Sequence, residues 1–275
     1  MELSSLQILQ FQEKEFLLVP GLFNRQETDS ILKEMPNVIA EDCPRRILEK
    51  NGQLRSFFAP EQTSELFSMV ISIDRLVLSV QRLLEGPVYA HQTKLNTKYA
   101  LTGDSWEWHR DYTFWKRDDG MLQPRVLTVM IFLNDITEFN GPLLLIPASH
   151  TVDDIDDEQN IINEQEGWYS EYKQSTNYMS ALTSGLKYTL KQRTIAHWAE
   201  KNGIEAAKGP AGSVLFFHGN IFHASGNNLS PWDRHTFLIT YNSVENKLVD
   251  IENPRPTFIA NRNFSPIKPV SCSLI

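Results

Sequence analysis

The stretch GSVLFFHGNIFHASGNNLSPWDRHTFLITYN, residues 212–242, decides the fold. A buried-looking apolar strand runs into a turn, and His223 follows. A second turn rich in Gly, Asn, Ser and Pro comes next, and another strand opens with Arg234. Working outward, VYAHQTKLNTKY (88–99), SWEWHRDY (105–112), RVLTVMIFLND (125–135) and GPLLLIPASH (141–150) have the same character. They are short, rich in β-branched and aromatic residues, and separated by Gly, Asn, Asp and Pro. Before residue 86 the pattern is different. FLLVPGLF (16–23) reads as a strand ending in a turn, and Asn24 with Glu27 marks a helix start. Apolar residues at three- and four-residue steps predict a helix from about Glu61 to Leu84. The expected class is mainly β with flanking helices: an antiparallel double sheet or barrel buttressed by the N-terminal helices.

The 275 residues are read as a single domain, and 41% hydrophobic residues suffice for a sizeable core. A formal charge of −8 argues against nucleic acid and anionic lipid as partners. The longest apolar runs, such as VLTVMIFL (126–133), are too short to span a bilayer. The N-terminus lacks the basic start and apolar core of a signal peptide. Cys43 and Cys272 stand far apart and suggest a reducing, cytoplasmic setting without a disulfide framework. Residues 151–205 begin with the acidic run DDIDDE (153–158), stay polar and carry a helical pattern around 180–202. They read as an insertion between two strands, either a solvated excursion or a lid over a site.

WEWHRDYTFW, residues 106–115, carries the chemistry. On a strand, residues i and i+2 share a face, so His109 and Asp111 point the same way. An imidazole and a carboxylate need one more histidine to make the two-histidine, one-carboxylate set of non-haem Fe(II) oxygenases. His223 is the favoured candidate and His218 the alternative. Arg234 follows His223 by eleven residues, on the next strand. Its planar fork suits the far carboxylate of a dicarboxylic keto acid. His, Asp, His and Arg together describe an Fe(II)/2-oxoglutarate site. His91, His150, His197 and His235 are read as structural. The HRD of residues 109–111 also begins a protein-kinase catalytic loop, but the Asn that loop requires is here Lys116, and no glycine-rich phosphate loop is present.

The segments WHRDYTFWKRDDGM, FLNDITEFNGPLLLIPASH and FHASGNNLSPWDR resemble the phytanoyl-CoA dioxygenase superfamily. Within it, RRILEKNGQLRSFFA, HQTKLNTKYALTGDSWEWH and ENPRP are most similar to the free L-leucine 5-hydroxylases, and the ectoine hydroxylases come next. The likeness covers about residues 8–265 and is weakest in the insertion. It implies a double-stranded β-helix, the jelly-roll or cupin-like fold. It implies iron on His109, Asp111 and His223, and 2-oxoglutarate on Arg234 with Asn96, Thr128 and Ser225. Thr128 also fits as a lone hydroxyl on an apolar strand, which needs a partner. On the substrate side it implies Gln92 and Trp115. Gln92, Lys98, Arg110 and Asp118 are the polar groups available to anchor a free amino acid. Ectoine hydroxylases have Ser and Glu where this chain has Arg110 and Thr113, which argues against ectoine. A carboxylate at Asp111, where related halogenases have a small residue, implies hydroxylation with O₂. The other readings are a hydroxylase of proline, ectoine or a larger natural product, and a cupin-like metal-binding module without turnover.

Overall fold

Side-chain caps set the first helices of the computed structural model, which describes residues 3–151, 159–161, 185–272 and 274. Helix α1 (Ser5–Lys14) starts from a Ser4/Gln7 capping box and leads into β1 (Phe16–Val19). Helix α2 (Arg25–Ile39) starts where Asn24 and Glu27 place it: Asn24 Oδ1 accepts from Glu27 N at 3.0 Å, and Glu27 Oε2 accepts from Asn24 N at 2.9 Å. β2 (Arg46–Leu48) and β3 (Leu54–Phe58) follow. The helix expected over 61–84 is interrupted: a 3₁₀ turn (Pro60–Gln62), α3 (Glu65–Ser72) and α4 (Asp74–Leu83) replace it. The cause is long-range. Ile73 takes extended angles and bridges Val270 of the C-terminal tail, whose carbonyl accepts from Asp74 N at 3.0 Å.

The strands β4 (Val88–Lys98), β5 (Trp106–His109), β6 (Val126–Phe132), β7 (Leu143–Ile146), β8 (Gln159–Ile161), β9 (Tyr188–Leu190), β10 (Glu205–Ala207), β11 (Val214–His218), β12 (Phe222–Ser225) and β13 (Arg234–Ser243) form antiparallel sheets. Helices α5 (Asp111–Phe114) and α6 (Gln192–Asn202) lie between them. The large sheet has seven strands in the order β1-β11-β6-β13-β4-β3-β2, and the smaller one has four in the order β10-β7-β12-β5. β8 and β9 pair separately. The helical pattern read around 180–202 is realised as α6, and its first residues lie outside the described ones, as does most of the 151–205 insertion.

Alternation along the strands sorts the core into two layers. On the outer face of the large sheet, Leu127, Val129, Ile131, Phe237 and Ile239 pack with Ile31 and Met35 of α2 and Phe67 and Val77 of α3 and α4. On its inner face, Met130, Phe132, Leu215, Phe217 and Leu238 meet Leu143 and Leu145 of the small sheet. The two sheets thus share one inner layer, and that layer opens into a cavity at one end. No helix among the described residues is long and apolar enough to cross a membrane.

Gly212 fixes the approach of α2 to this sandwich. Its φ is +87°, and a Cβ there would lie 2.0 Å from the Phe23 carbonyl oxygen. Its own backbone pairs with Phe132 and Phe23. Gly212→Ala is expected to cost about 2 kcal/mol or more. Thermal unfolding followed by circular dichroism should show a midpoint lower by roughly 5 °C.

Candidate metal centre and active site

The site begins with a strand pairing. β12 pairs with β5 so that His223 stands opposite His109, and the two rings lie 4.2 Å apart between centroids. His223 therefore sits on a short strand, between the two turns read in the sequence. His109 Nδ1 bonds the Glu107 carbonyl at 2.6 Å, and His223 Nδ1 bonds the Ile221 carbonyl at 3.0 Å. A carbonyl only accepts, so each Nδ1 carries the hydrogen and each Nε2 is left with its lone pair. Both Nε2 atoms face Asp111, at 3.6 Å from Oδ1 for His109 and 3.8 Å from Oδ2 for His223.

Asp111 is not on the strand. β5 ends at His109, and Asp111 opens α5. The residue between them, Arg110, is still extended, so positions 109 and 111 project to one side as a strand would have them. Tyr112 N then donates to Gly219 O at 2.9 Å and ties the turn to the loop before β12.

The donor set fits a metal. One ligand atom from each of His109, Asp111 and His223 lies within 4.8 Å of the others. Burial and the neighbouring His109 lower His223 to about 4, against the opposing pull of Asp111, so it is neutral at physiological pH, as a ligand must be. Burial would raise the Asp111 carboxyl, but His223, His109 and Lys94 outweigh it and hold the group well below the usual carboxylate range.

The cavity in front of these residues has a volume of about 680 Å³ counting its mouth. At its inner end Arg234 is buried, and burial lowers its guanidinium only to about 10, so it stays charged. Arg234 Nε, Ser225 Oγ and Thr236 Oγ1 are buried, line the cavity and have no hydrogen-bond partner among the described residues. Asn96 lines the same end, its Oδ1 accepting from Ser56 Oγ at 2.7 Å. Two orphaned hydroxyls beside a guanidinium whose own Nε is unpartnered fit a carboxylate that brings its own acceptors. Thr236 was missed in the sequence, although it stands two residues from Arg234 on the same strand face.

The outer half is walled by Trp106, Phe114, Trp115 and Leu186. Gln92 lines it, and its Nε2 donates to Ile259 O at 2.9 Å. Behind Trp115 lies a buried network that sequence reasoning did not find. Arg255 donates to both oxygens of Asp119 at 2.6 Å, and His91 Nε2 meets Asp119 Oδ2 at 3.0 Å. His91 in turn packs edge-on against Trp115. On the other side Gly219 leaves no room for a side chain: a Cβ would come within 2.7 Å of both the Trp115 ring and Val126. Arg255 also lines the cavity.

Several expected contacts are placed elsewhere. The Thr128 hydroxyl meets Thr240 at 3.0 Å and does not line the cavity, because β6 and β13 set the two threonines opposite each other. Arg110 is buried over the Phe222 ring, away from the cavity lining, and Thr113 is buried as well. The departures from the ectoine pattern at 110 and 113 therefore bear on packing around the ligand turn, not on the cavity wall. Lys98 is spent on the Asp104 and Gly226 carbonyls at 2.5 and 2.6 Å, and Asp118 on Lys187 and Tyr188. His218 lies outside the ligand cluster, edge-on to His150, which pairs with Glu15 at 3.2 Å.

A two-histidine, one-carboxylate cluster with an open side, set in a double sheet, defines the class of non-haem iron oxygenases. The phytanoyl-CoA dioxygenase (PhyH) family pattern matches residues 11–236. The chain is 30% identical over 256 residues to L-proline trans-4-hydroxylase from Streptomyces griseoviridis, covering 93% of this chain and 91% of that protein. It is 32% identical over 277 residues to ectoine dioxygenase from Bordetella parapertussis, covering 98% and 86%. Among solved structures, EctD from S. alaskensis with 2-oxoglutarate and 5-hydroxyectoine superposes with a TM-score of 0.82 at 26% identity, covering 99% of this chain and 89% of that one. The iron-bound form of the same protein superposes with a TM-score of 0.80 at 25% identity, with the same coverage. This chain belongs to the phytanoyl-CoA dioxygenase family.

His218 makes the electrostatics of this region measurable. Burial and the nearby His150 lower it to about 4 in the folded protein, from an ordinary 6.5. The unfolded chain then takes up the proton first as pH falls, so this contribution to stability is lost between about pH 6.5 and 4. Glu15, raised by burial to about 7, acts in the opposite sense. His218→Gln should flatten the fall in thermal midpoint across that acid window, as read by unfolding curves at pH 7, 6, 5 and 4.5.

Proposed function

We propose that this chain hydroxylates an unactivated side-chain carbon of a free aliphatic L-amino acid, with a leucine-like side chain favoured. It is a 2-oxoglutarate-dependent non-haem iron dioxygenase, and the reading concerns what it oxidises. The observation that carries it is a cavity with two unlike ends. The metal-ligating cluster lies between a buried Arg234 surrounded by orphaned hydroxyls and a chamber walled by Trp106, Phe114, Trp115 and Leu186.

In this reading His109, Asp111 and His223 hold the ferrous ion, and Arg234 pairs with the far carboxylate of 2-oxoglutarate, helped by Ser225, Thr236 and Asn96. Iron, 2-oxoglutarate and O₂ together supply an oxidant that removes hydrogen from an aliphatic carbon and returns hydroxyl, with succinate and CO₂ released. The protein supplies aim and dryness. The aromatic walls and Leu186 exclude water and hold an apolar side chain. Trp115 is kept in place by His91 on one side and by the narrow space at Gly219 on the other. Gln92 presents an amide on the substrate side, oriented by its bond to Ile259 O. The substrate is a small molecule, the setting cytoplasmic, and residues 1–275 act as one catalytic domain. A cyclic amino acid such as proline is the second reading, since the curated relatives act on proline and ectoine.

Purified protein with Fe(II), ascorbate, 2-oxoglutarate and a pool of amino acids tests this. Succinate release linked to a product 16 mass units heavier than a leucine-like amino acid supports the reading. Equal, low succinate with and without every amino acid would overturn it. Asp111→Ala should lose hydroxylation by at least about 1,000-fold, the scale expected when a reaction's main electrostatic support is removed. Its circular dichroism spectrum should match the parent, because the carboxylate borders an open cavity.

A further inference from the structure

The outer half of the cavity holds a cation that nothing in the described fold answers. Lys94 sits in the middle of β4, opposite Leu238 on β13 and Phe58 on β3. Its side chain lines the cavity, with Nζ 5.9 Å from the centre of the Trp106 ring. Among the described residues it makes no hydrogen bond and no ion pair. The neighbouring basic side chains are all provided for. Lys98 is capped by two carbonyls, Arg255 by Asp119, and Arg55 by Glu49 at 2.7 Å. Burial pulls the Lys94 ammonium below the usual lysine range, with Asp111 pulling the other way, because a buried ammonium without a paired anion costs free energy; a ligand that brings an anion into this cavity restores the charged form.

The anion is not Asp111. Lys94 is close enough for its charge to act on that carboxylate, but Asp111 belongs to the metal cluster. The register also separates Lys94 from Arg234. Arg234 stands opposite Lys98, four residues further along β4, which places roughly 13 Å of strand between the two levels. Beside Lys94 on the same strand face is Gln92. Its Nε2 is committed to the Ile259 carbonyl, which fixes the amide and leaves Oε1 as an acceptor with no partner among the described residues. One strand face thus offers a cation and, two residues away, a neutral acceptor.

We propose that Lys94 binds the carboxylate of the substrate amino acid, with Gln92 Oε1 accepting from its ammonium group. The inference rests on the amino-acid reading above and adds which side chains recognise the amino-acid head. The charge count agrees. Once the metal, Asp111, a dicarboxylate and Arg234 cancel, Lys94 is, among the described residues that line the cavity, the one basic group left to answer the incoming molecule.

The test is an anaerobic tryptophan-fluorescence titration of the Fe(II)- and 2-oxoglutarate-loaded protein, with Trp106 as the nearby reporter. The probes are L-leucine, L-isoleucine, L-methionine and L-proline, each alongside its carboxamide. The parent should prefer acid to amide by at least tenfold. Lys94→Gln should lose at least tenfold in affinity for the acid, keep its affinity for the amide and keep its Kd for 2-oxoglutarate within twofold. Lys94→Arg should retain most of the acid preference, and circular dichroism should show both variants folded. If Lys94→Gln binds the acids as the parent does, or loses 2-oxoglutarate affinity instead, the assignment of Lys94 is overturned while the amino-acid reading stands. A parent protein that binds none of the four acids overturns both.

Discussion

The pairing of β12 with β5 is the constraint on which the site depends. Two antiparallel strands place His223 opposite His109, and side chains opposite each other on such a pair meet across a few ångströms. The same local device is used twice: each ring is tied to the carbonyl two residues before it. That tie fixes ring orientation and leaves both remaining nitrogens converging on one point, the arrangement by which partners outside the ligand set tune a metal. The rest of the small sheet serves this pairing. β7 lies on the other side of β12 and holds it flat, while the turn at Asp111 is tied down through Tyr112 to Gly219.

Around that point the sandwich divides its inner layer by polarity. Toward Arg234 the lining is polar, buried and incompletely hydrogen-bonded. Such groups are tolerated where a ligand completes them. Lys98, pushed down to about 6 by burial and by Arg234 and Arg55, closes the back of this end by joining two loops through their carbonyls. Toward the mouth the lining is aromatic, and the C-terminal segment returns to form its floor through Arg255 and Ile259. The tail that interrupts the helix at Ile73 and the segment that braces Trp115 are thus parts of one return path, which couples the helical flank to the chamber.

Much of this was legible in the sequence, for definite physical reasons. β-Branched and aromatic runs separated by turn residues gave the strands, because a pleated, buried surface selects those residues locally. Asn24 and Glu27 gave a helix start, because a cap is a local hydrogen-bond pattern. His109, Asp111 and His223 could be gathered because metal ligation restricts residue type. What escaped depended on register or on distant partners. The break at Ile73 is dictated by Val270, nearly two hundred residues away. Thr128 fitted as a cosubstrate contact until the register set it against Thr240. Lys98 and Lys94 look alike in sequence, yet strand pairing and loop carbonyls occupy one and leave the other facing the cavity. The network of His91, Asp119 and Arg255 joins three separate segments, and none announces the others.

Gly219 is not among the residues that line the cavity, yet it sets how far back the Trp115 indole can sit. A single methyl at this glycine would press the ring forward, with Val126 barring sideways escape. The depth of the chamber is therefore regulated from behind, by atoms on the dry side of the wall. Among relatives named for molecules as different as proline and ectoine, such a position lets reach be retuned while His109, Asp111 and His223 stay untouched.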